Sequence, residues 1–142
     1  TILNKRESYR KAYKGFDPKK VAKFTVGDQQ VLLENEGIVR NRAKVAASVL
    51  NAQKFLAVQK ESGSFDAYLW GFVKGKPIQN KWKSFKEIPA ETELSIQISK
   101  DLKKRGFKFV GTTIIYAYLQ AVGVVNDHVV SCPRWGVCSR LK

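Results

Sequence analysis

Methionine is missing altogether from this 142-residue chain, which begins on Thr1, and histidine occurs once, at position 128. The first stretch, TILNKRESYRKAY, already has a helical pattern with no capping residue or loop before it. Both features lead to the expectation that sequence precedes Thr1. No apolar run approaches the roughly 20 residues of a membrane span; the longest, from Phe109 to Val125, has polar breaks. The N-terminus lacks the apolar core and small-residue cleavage site of a secretory signal. With no such signal, the two cysteines are read as reduced thiols in a cytoplasm. Period-two alternation is nowhere sustained, so strands are not expected. Repeats, low-complexity tracts and linkers are also absent.

Acidic residues are scarce beside basic ones: 12 Asp plus Glu against 26 Lys plus Arg, a net charge of +14. An excess of this size points to a polyanion partner, because each phosphate that a cation neutralises releases counterions. Hydrophobic residues at 44% and charged residues at 27% describe a folded chain, and one domain of this length buries a substantial core.

Helix signals run through the chain. Ile2 to Tyr13 is a basic helix stopped by Gly15. Asp17-Pro18 pairs an N-cap with proline at the first helical position. Thr25 and Asp28 resemble a capping box for Val26 to Asn35. From Asn41 to Lys60, the residues Val45, Val49, Ala52 and Leu56 fall on one face of a long amphipathic helix. Ser62-Gly63-Ser64 breaks it, and Ser64 caps the next segment, which carries Phe65, Leu69, Trp70 and Phe72. Lys74 to Glu91, with Pro77 and Pro89, is one long irregular connection. Thr92 opens a helix with Leu94, Ile98 and Leu102 inward. The expected fold is all-α, an irregular multi-helix bundle of one domain over residues 1–142.

Between Leu102 and Thr112 the chain reverses through Gly106-Phe107-Lys108-Phe109-Val110-Gly111. Glycines at both ends permit positive φ and the close approach of another backbone. Thr112 and Thr113 open a helix whose first N–H groups lack partners, a natural place for a phosphate oxygen. Phe107, Phe109 and Val110 are expected to anchor the turn in the core. Lys100, Lys103, Lys104, Arg105 and Lys108 surround it with positive charge. Spacing leaves two readings open: a phosphate grip, or a plain helix corner in which Gly106 is only a C-cap. Arg40-Asn41-Arg42 with Lys44 makes a second basic helix start, either another phosphate site or a solvated face.

His128 and Cys132 stand four apart, so on a helical turn they share a face, and imidazole with thiolate suits zinc. Two ligands do not complete a tetrahedron, and Cys138 is the only other thiol. Spacing leaves a partial metal site and a pair of packed side chains both open.

Taken together, TILNKRESYRKAY, FDPKKVA, GIVRNRAKVAASVLNA and above all LKKRGFKFVGTTIIYAYLQAVGVVNDHVVSC carry a family likeness. The chain resembles the DNA-3-methyladenine glycosylase I family, bacterial alkylation-repair enzymes of the helix–hairpin–helix superfamily. The likeness covers nearly the whole chain; only the tail PRWGVCSRLK matches no pattern. It implies a helix–hairpin–helix over about residues 93–122 that grips double-stranded DNA. The DNA-binding set is then Gly106, Lys108, Val110, Gly111, Thr112 and Thr113, with Arg40, Arg42 and Lys44. It also implies that His128 and Cys132 are two of four structural zinc ligands, in a C-terminal segment over 126–138. The other two ligands, the glutamate of the base pocket and most of the stacking aromatics lie in the family's N-terminal region. That region would precede Thr1, so no catalytic residue is assigned within this chain. Tyr116 and Tyr118 are candidate pocket walls, with plain core as the alternative.

The implied activity is hydrolysis of the N-glycosidic bond of 3-methyladenine, flipped out of alkylated DNA, by a monomeric cytoplasmic enzyme, with the 142 residues alone inactive. Rival readings are a non-catalytic helix–hairpin–helix DNA-binding module and, less favoured by the turn, a zinc-stabilised RNA- or ribosome-binding protein.

Overall fold

The computed structural model describes residues 1–141 and is helical through most of its length. The chain enters through a 3₁₀ turn at Leu3–Lys5 and continues as α1 (Arg6–Ala12). Asp17 then caps the short α2 (Pro18–Val21), its side chain accepting from the Lys19 N–H, with proline at the position where a missing N–H is harmless. Thr25 and Asp28 form a reciprocal capping box that starts α3 (Val26–Glu34). Asn41 caps α4 (Arg42–Ser62), the longest element at 21 residues, by accepting from the Lys44 N–H. Gly63 ends α4 at φ +84°, and Ser64 caps α5 (Phe65–Gly71). Thr92 and Ser95 cap α6 (Glu93–Lys104). After a tight turn come α7 (Thr112–Ala121) and, at the C-terminal end, α8 (Pro133–Ser139). Among the described residues, no helix is long and apolar enough to cross a membrane.

One departure from the helical expectation is a short parallel ladder. β1 (Ile78–Gln79), inside the long connection, pairs with β2 (Val125–Asn126), which follows α7. Two residues per strand are too few to leave an alternating pattern, and their partners lie far apart in sequence. The ladder pins the middle of the Lys74–Glu91 connection to the chain just ahead of His128.

Hydrophobic burial divides into two clusters. One gathers Tyr13, Val21, Leu32, Ile38 and Val45, from the first four helices and the loop before α4. The larger one includes Val58, Leu69, Ile98, Leu102, Phe107, Ile115, Leu119 and Val124, drawn chiefly from the second half of the chain. Ile98, Leu119 and Val124 have no exposed surface at all. Full burial of a side chain of this size contributes about 1.5–3 kcal/mol. α4 serves both clusters: Val45 and Ala52 belong to the first, Phe55 and Val58 to the second. Its apolar surface is therefore wider than one stripe.

An ion-pair network ties the far end of α4 to the end of α6. The Arg105 guanidinium donates to Glu61 at 2.6 Å and 3.2 Å and to Asp101 at 2.8 Å. Tyr68 also donates to Asp101, at 2.6 Å, and the guanidinium carbon lies 4.9 Å from the Tyr68 ring centroid. Arg105 is thus occupied within the protein, which removes it from the free positive charge expected around the turn.

Candidate nucleic-acid interface

The turn between α6 and α7 assigns different work to its two glycines. Gly106 has φ +95° and closes α6 in a Schellman arrangement. Its N–H donates to the Lys103 carbonyl and the Phe107 N–H to that of Leu102, both at 3.0 Å. Phe107 and Leu102 pack together in the larger cluster. Gly106 is therefore a helix C-cap. Gly111 differs: its φ of −63° and ψ of 162° suit any residue, and a Cβ built on it meets nothing within 4 Å. Nothing inside the protein requires glycine there. The positive φ expected at the second glycine falls instead on Phe109, at +57°. A left-handed non-glycine residue costs about 1–2 kcal/mol.

Phe109 corrects another expectation. Its ring is 52% exposed and does not anchor the turn; the Lys44 ammonium stands over it, 5.8 Å from the centroid. Anchoring comes from Phe107, from Val110 packed on the larger cluster, and from Ser99, a fully buried hydroxyl donating to the Val110 carbonyl at 2.6 Å. Asn51 on α4 adds a second clamp, on the Lys108 backbone. No side chain caps α7, and its first-turn N–H groups, including those of Thr112 and Thr113, have no acceptor among the described residues. The Thr112 hydroxyl donates to the Glu91 carboxylate, which brings one negative charge to this helix start. Thr113 is exposed.

Arg40, Arg42 and Lys44 are exposed at the start of α4. There Asn41 already accepts from the Lys44 N–H, so this N-terminus is partly satisfied where that of α7 is open. Through Lys44 over Phe109 the two basic regions meet.

An open groove of ≈ 630 Å³ runs beside the turn, lined by Tyr9, Phe16, Lys44, Asn51, Val110 and Tyr118, among others. Tyr118 faces it, whereas Tyr116 does not. Tyr116 is 2% exposed and donates its hydroxyl to Asp127, so it is a core side chain with no free face for stacking.

Sequence reasoning passed over Asp127. Its buried carboxylate accepts from Asn80 and Trp82 at 2.7 Å each, from Gln120 at 2.9 Å and from Tyr116. Burial pushes this carboxyl up, but the donors from Tyr116, Gln120, Trp82 and Asn80 together outweigh it and hold it below its ordinary value. The adjacent Asn126 donates to Gln79 and to the Trp135 carbonyl, and the Trp135 indole donates to the Asn80 carbonyl at 2.7 Å. These bonds fix the loop that carries His128. The signal in sequence was only an aspartate after a long apolar helix, with donors 45 and 47 residues away.

His128 Nδ1 lies 3.9 Å from Cys132 Sγ. A turn brings them together, with the Cys132 N–H on the Val129 carbonyl, and not the helical face expected from their spacing. The separation lets both reach one tetrahedral ion, given metal–ligand distances of about 2.0–2.3 Å. Among the described residues, no third His, Cys, Asp or Glu completes a metal-binding group. Cys138 lies on α8 and lines a separate cavity of ≈ 430 Å³ that His128 also borders.

Comparison with known proteins identifies the family. The Methyladenine glycosylase family matches over residues 1–135, and the chain belongs to that family. Among its relatives is the DNA-3-methyladenine glycosylase of Haemophilus influenzae, 47% identical over 133 residues, which span 94% of this chain and 72% of that protein. Escherichia coli DNA-3-methyladenine glycosylase 1 is 46% identical, over 93% of this chain and 71% of its own length. A solved structure of the Staphylococcus aureus 3-methyladenine DNA glycosylase I, described for its recognition of 3-methyladenine, superposes with a TM-score of 0.90 at 36% identity. That likeness covers 99% of this chain and 72% of the other.

Asp127 generates a prediction about pH. A carboxylate with a lowered folded value adds stability above its unfolded value, near 3.9, and loses it as pH falls through the folded one. Denaturant titrations from about pH 6 down to pH 3 should show the parent losing more stability than Asp127→Asn. At neutral pH the variant should be the less stable by about 2 kcal/mol, because the amide leaves donors unmatched. Parallel acid profiles would refute this account of the carboxylate.

Proposed function

We propose that the protein is a base-excision glycosylase that hydrolyses the N-glycosidic bond of 3-methyladenine in alkylated double-stranded DNA. It acts as a monomer in the cytoplasm. The observation that carries this reading is the uncapped start of α7 behind Gly111, where the missing Cβ leaves room for a group from outside. Membership of the Methyladenine glycosylase family supplies the chemistry.

On this reading α6, the turn and α7 form a helix–hairpin–helix that holds a DNA phosphate. The free N–H groups of α7 and the positive end of its dipole meet the phosphate oxygens. Lys108, whose side chain is exposed, adds charge, as do Arg40, Arg42 and Lys44. Such contacts offset the few kcal/mol needed to turn a base out of the duplex. N3-alkylation leaves the adenine cationic and a better leaving group, so the pocket has mainly to recognise shape and charge. Of the two tyrosines expected as pocket walls, Tyr118 faces the groove beside the turn and remains a candidate. The base-pocket glutamate is assigned to no residue here.

His128 and Cys132 are proposed as two ligands of a structural zinc ion, which would tie the C-terminal loop to whatever supplies the other two. Cys132 is in no disulfide, as that role requires. Metal analysis of the protein as cells make it should find about one zinc per molecule, falling toward zero in Cys132→Ser. Undiminished zinc in that variant would remove the assignment.

Incubating the cell-made protein with methylated DNA and separating the released bases should yield 3-methyladenine. DNA binding with no release of any alkylated base would mean a non-catalytic module. Release by the 142 residues alone would locate the pocket within them.

The grip itself makes a third prediction. Gly111→Val should leave stability within about 0.5 kcal/mol of the parent, since its backbone and surroundings tolerate a side chain, yet weaken binding to any duplex. Lys108→Ala should also weaken it, with a salt slope shallower by about 0.9. Glu91→Gln should do the reverse and tighten binding, by withdrawing the anion that meets Thr112. Unchanged affinity in Gly111→Val would make the turn purely structural.

A further inference from the structure

α4 reaches across to the turn at one point where both groups of a single peptide unit pair are taken up by one side chain. Asn51 Nδ2 donates to the Lys108 carbonyl at 2.9 Å, and Asn51 Oδ1 accepts from the Lys108 N–H at 2.8 Å. A carboxamide carries a donor and an acceptor in one plane, as a backbone peptide does, so it mimics the closely spaced pair of an antiparallel ladder. We propose that Asn51 is the positioning residue of the α6–α7 turn, holding the Lys108–Phe109 segment in the shape that presents the open N–H groups of α7 to a phosphate. This inference rests on the reading of that turn as a DNA grip.

Three observations carry it. Phe107 and the Val110 carbonyl fix the turn at its two shoulders, by burial and by the Ser99 hydroxyl. Between them, Lys108 and Phe109 bow into solvent, with Phe109 in the left-handed region at φ +57°. An unconstrained segment would relax out of that conformation. Asn51 is the side chain that meets its backbone, and it projects from the middle of a 21-residue helix packed on both hydrophobic clusters.

The clamp also lies in an exposed region, where water could satisfy the same two groups. Its net contribution to stability is correspondingly small, and its effect is conformational. A rigid set of donors binds an anion without first losing the entropy of ordering itself. Lys108 consequently gives the phosphate only its side chain, because its own N–H is already taken.

Two variants test this. Asn51→Ala removes the amide, and Asn51→Leu removes it while keeping the bulk that borders the groove. Each is measured for melting temperature, for hydrogen exchange at the Lys108 amide, and for affinity to an undamaged duplex oligonucleotide across a range of salt. Gly111→Val is measured in parallel. The expected result for Asn51→Leu is faster exchange at Lys108 and affinity lower by about tenfold at every salt concentration. The salt slope stays that of the parent, since no cation has been removed. Parent-like affinity in Asn51→Leu, with Gly111→Val weakened, overturns the role of Asn51 and leaves the grip standing. Unchanged protection of the Lys108 amide overturns it too. Parent-like affinity in Gly111→Val removes the grip, and the inference with it.

Discussion

Packing on α4 is the constraint to which the rest of the molecule is referred. An isolated helix of this length is marginal in water and gains its stability from what covers it. Here the coverage comes from two clusters, one built by the first helices and one by α5 to α7, with Val45 and Val58 marking the two ends of the shared helix. Because a single rigid rod enters both, the basic start of α4 and the turn after α6 hold a fixed relation. Lys44 over the Phe109 ring and Asn51 on the Lys108 backbone are the local expression of that relation. The candidate DNA surface is therefore a property of α4 as much as of the turn.

Asp127 plays the corresponding part for the C-terminal loop. A buried carboxylate is costly unless donors surround it, and this one has four. The donors come from the long connection and from α7, so the bonds that make the charge tolerable also close the fold behind His128. With the β1–β2 ladder alongside, a segment without regular helix becomes fixed in position. That matters for the proposed role of His128 and Cys132 as ligands, which depends on how well their separation is held.

Much of the fold was legible from sequence because helix caps are local. Asp17, Thr25, Asn41, Ser64 and Thr92 each bond a backbone N–H within three residues, and each marks a helix start in the structure. The family likeness was legible for a different reason, the length of the matching segments. What stayed hidden was long-range. The bonds from Asn80 and Trp82 to Asp127, the parallel ladder and the Asn51 clamp all join residues more than 40 apart, and no periodicity records them. Phe109 misled because an aromatic beside a buried one reads as core, whereas the backbone there turns it outward. Tyr116 lay on the apolar helix beside Tyr118 in character, but burial and the Asp127 bond separate the two. The two readings of the turn, helix corner and phosphate grip, fall on different glycines. Gly106 is the corner, and of the two it is Gly111 that leaves open space where a side chain would stand.

The contact between Thr112 and Glu91 bears on how such a protein would travel along DNA. A repair enzyme that held every phosphate firmly would stay where it landed, and damaged bases are rare among normal ones. On the proposed reading, a phosphate arriving at the open N–H groups of α7 meets the Glu91 carboxylate held on the Thr112 hydroxyl beside them. Each engagement would then be opposed by repulsion between the two anions. That repulsion would reduce the difference in free energy between held and released states, and so shorten residence on undamaged sequence.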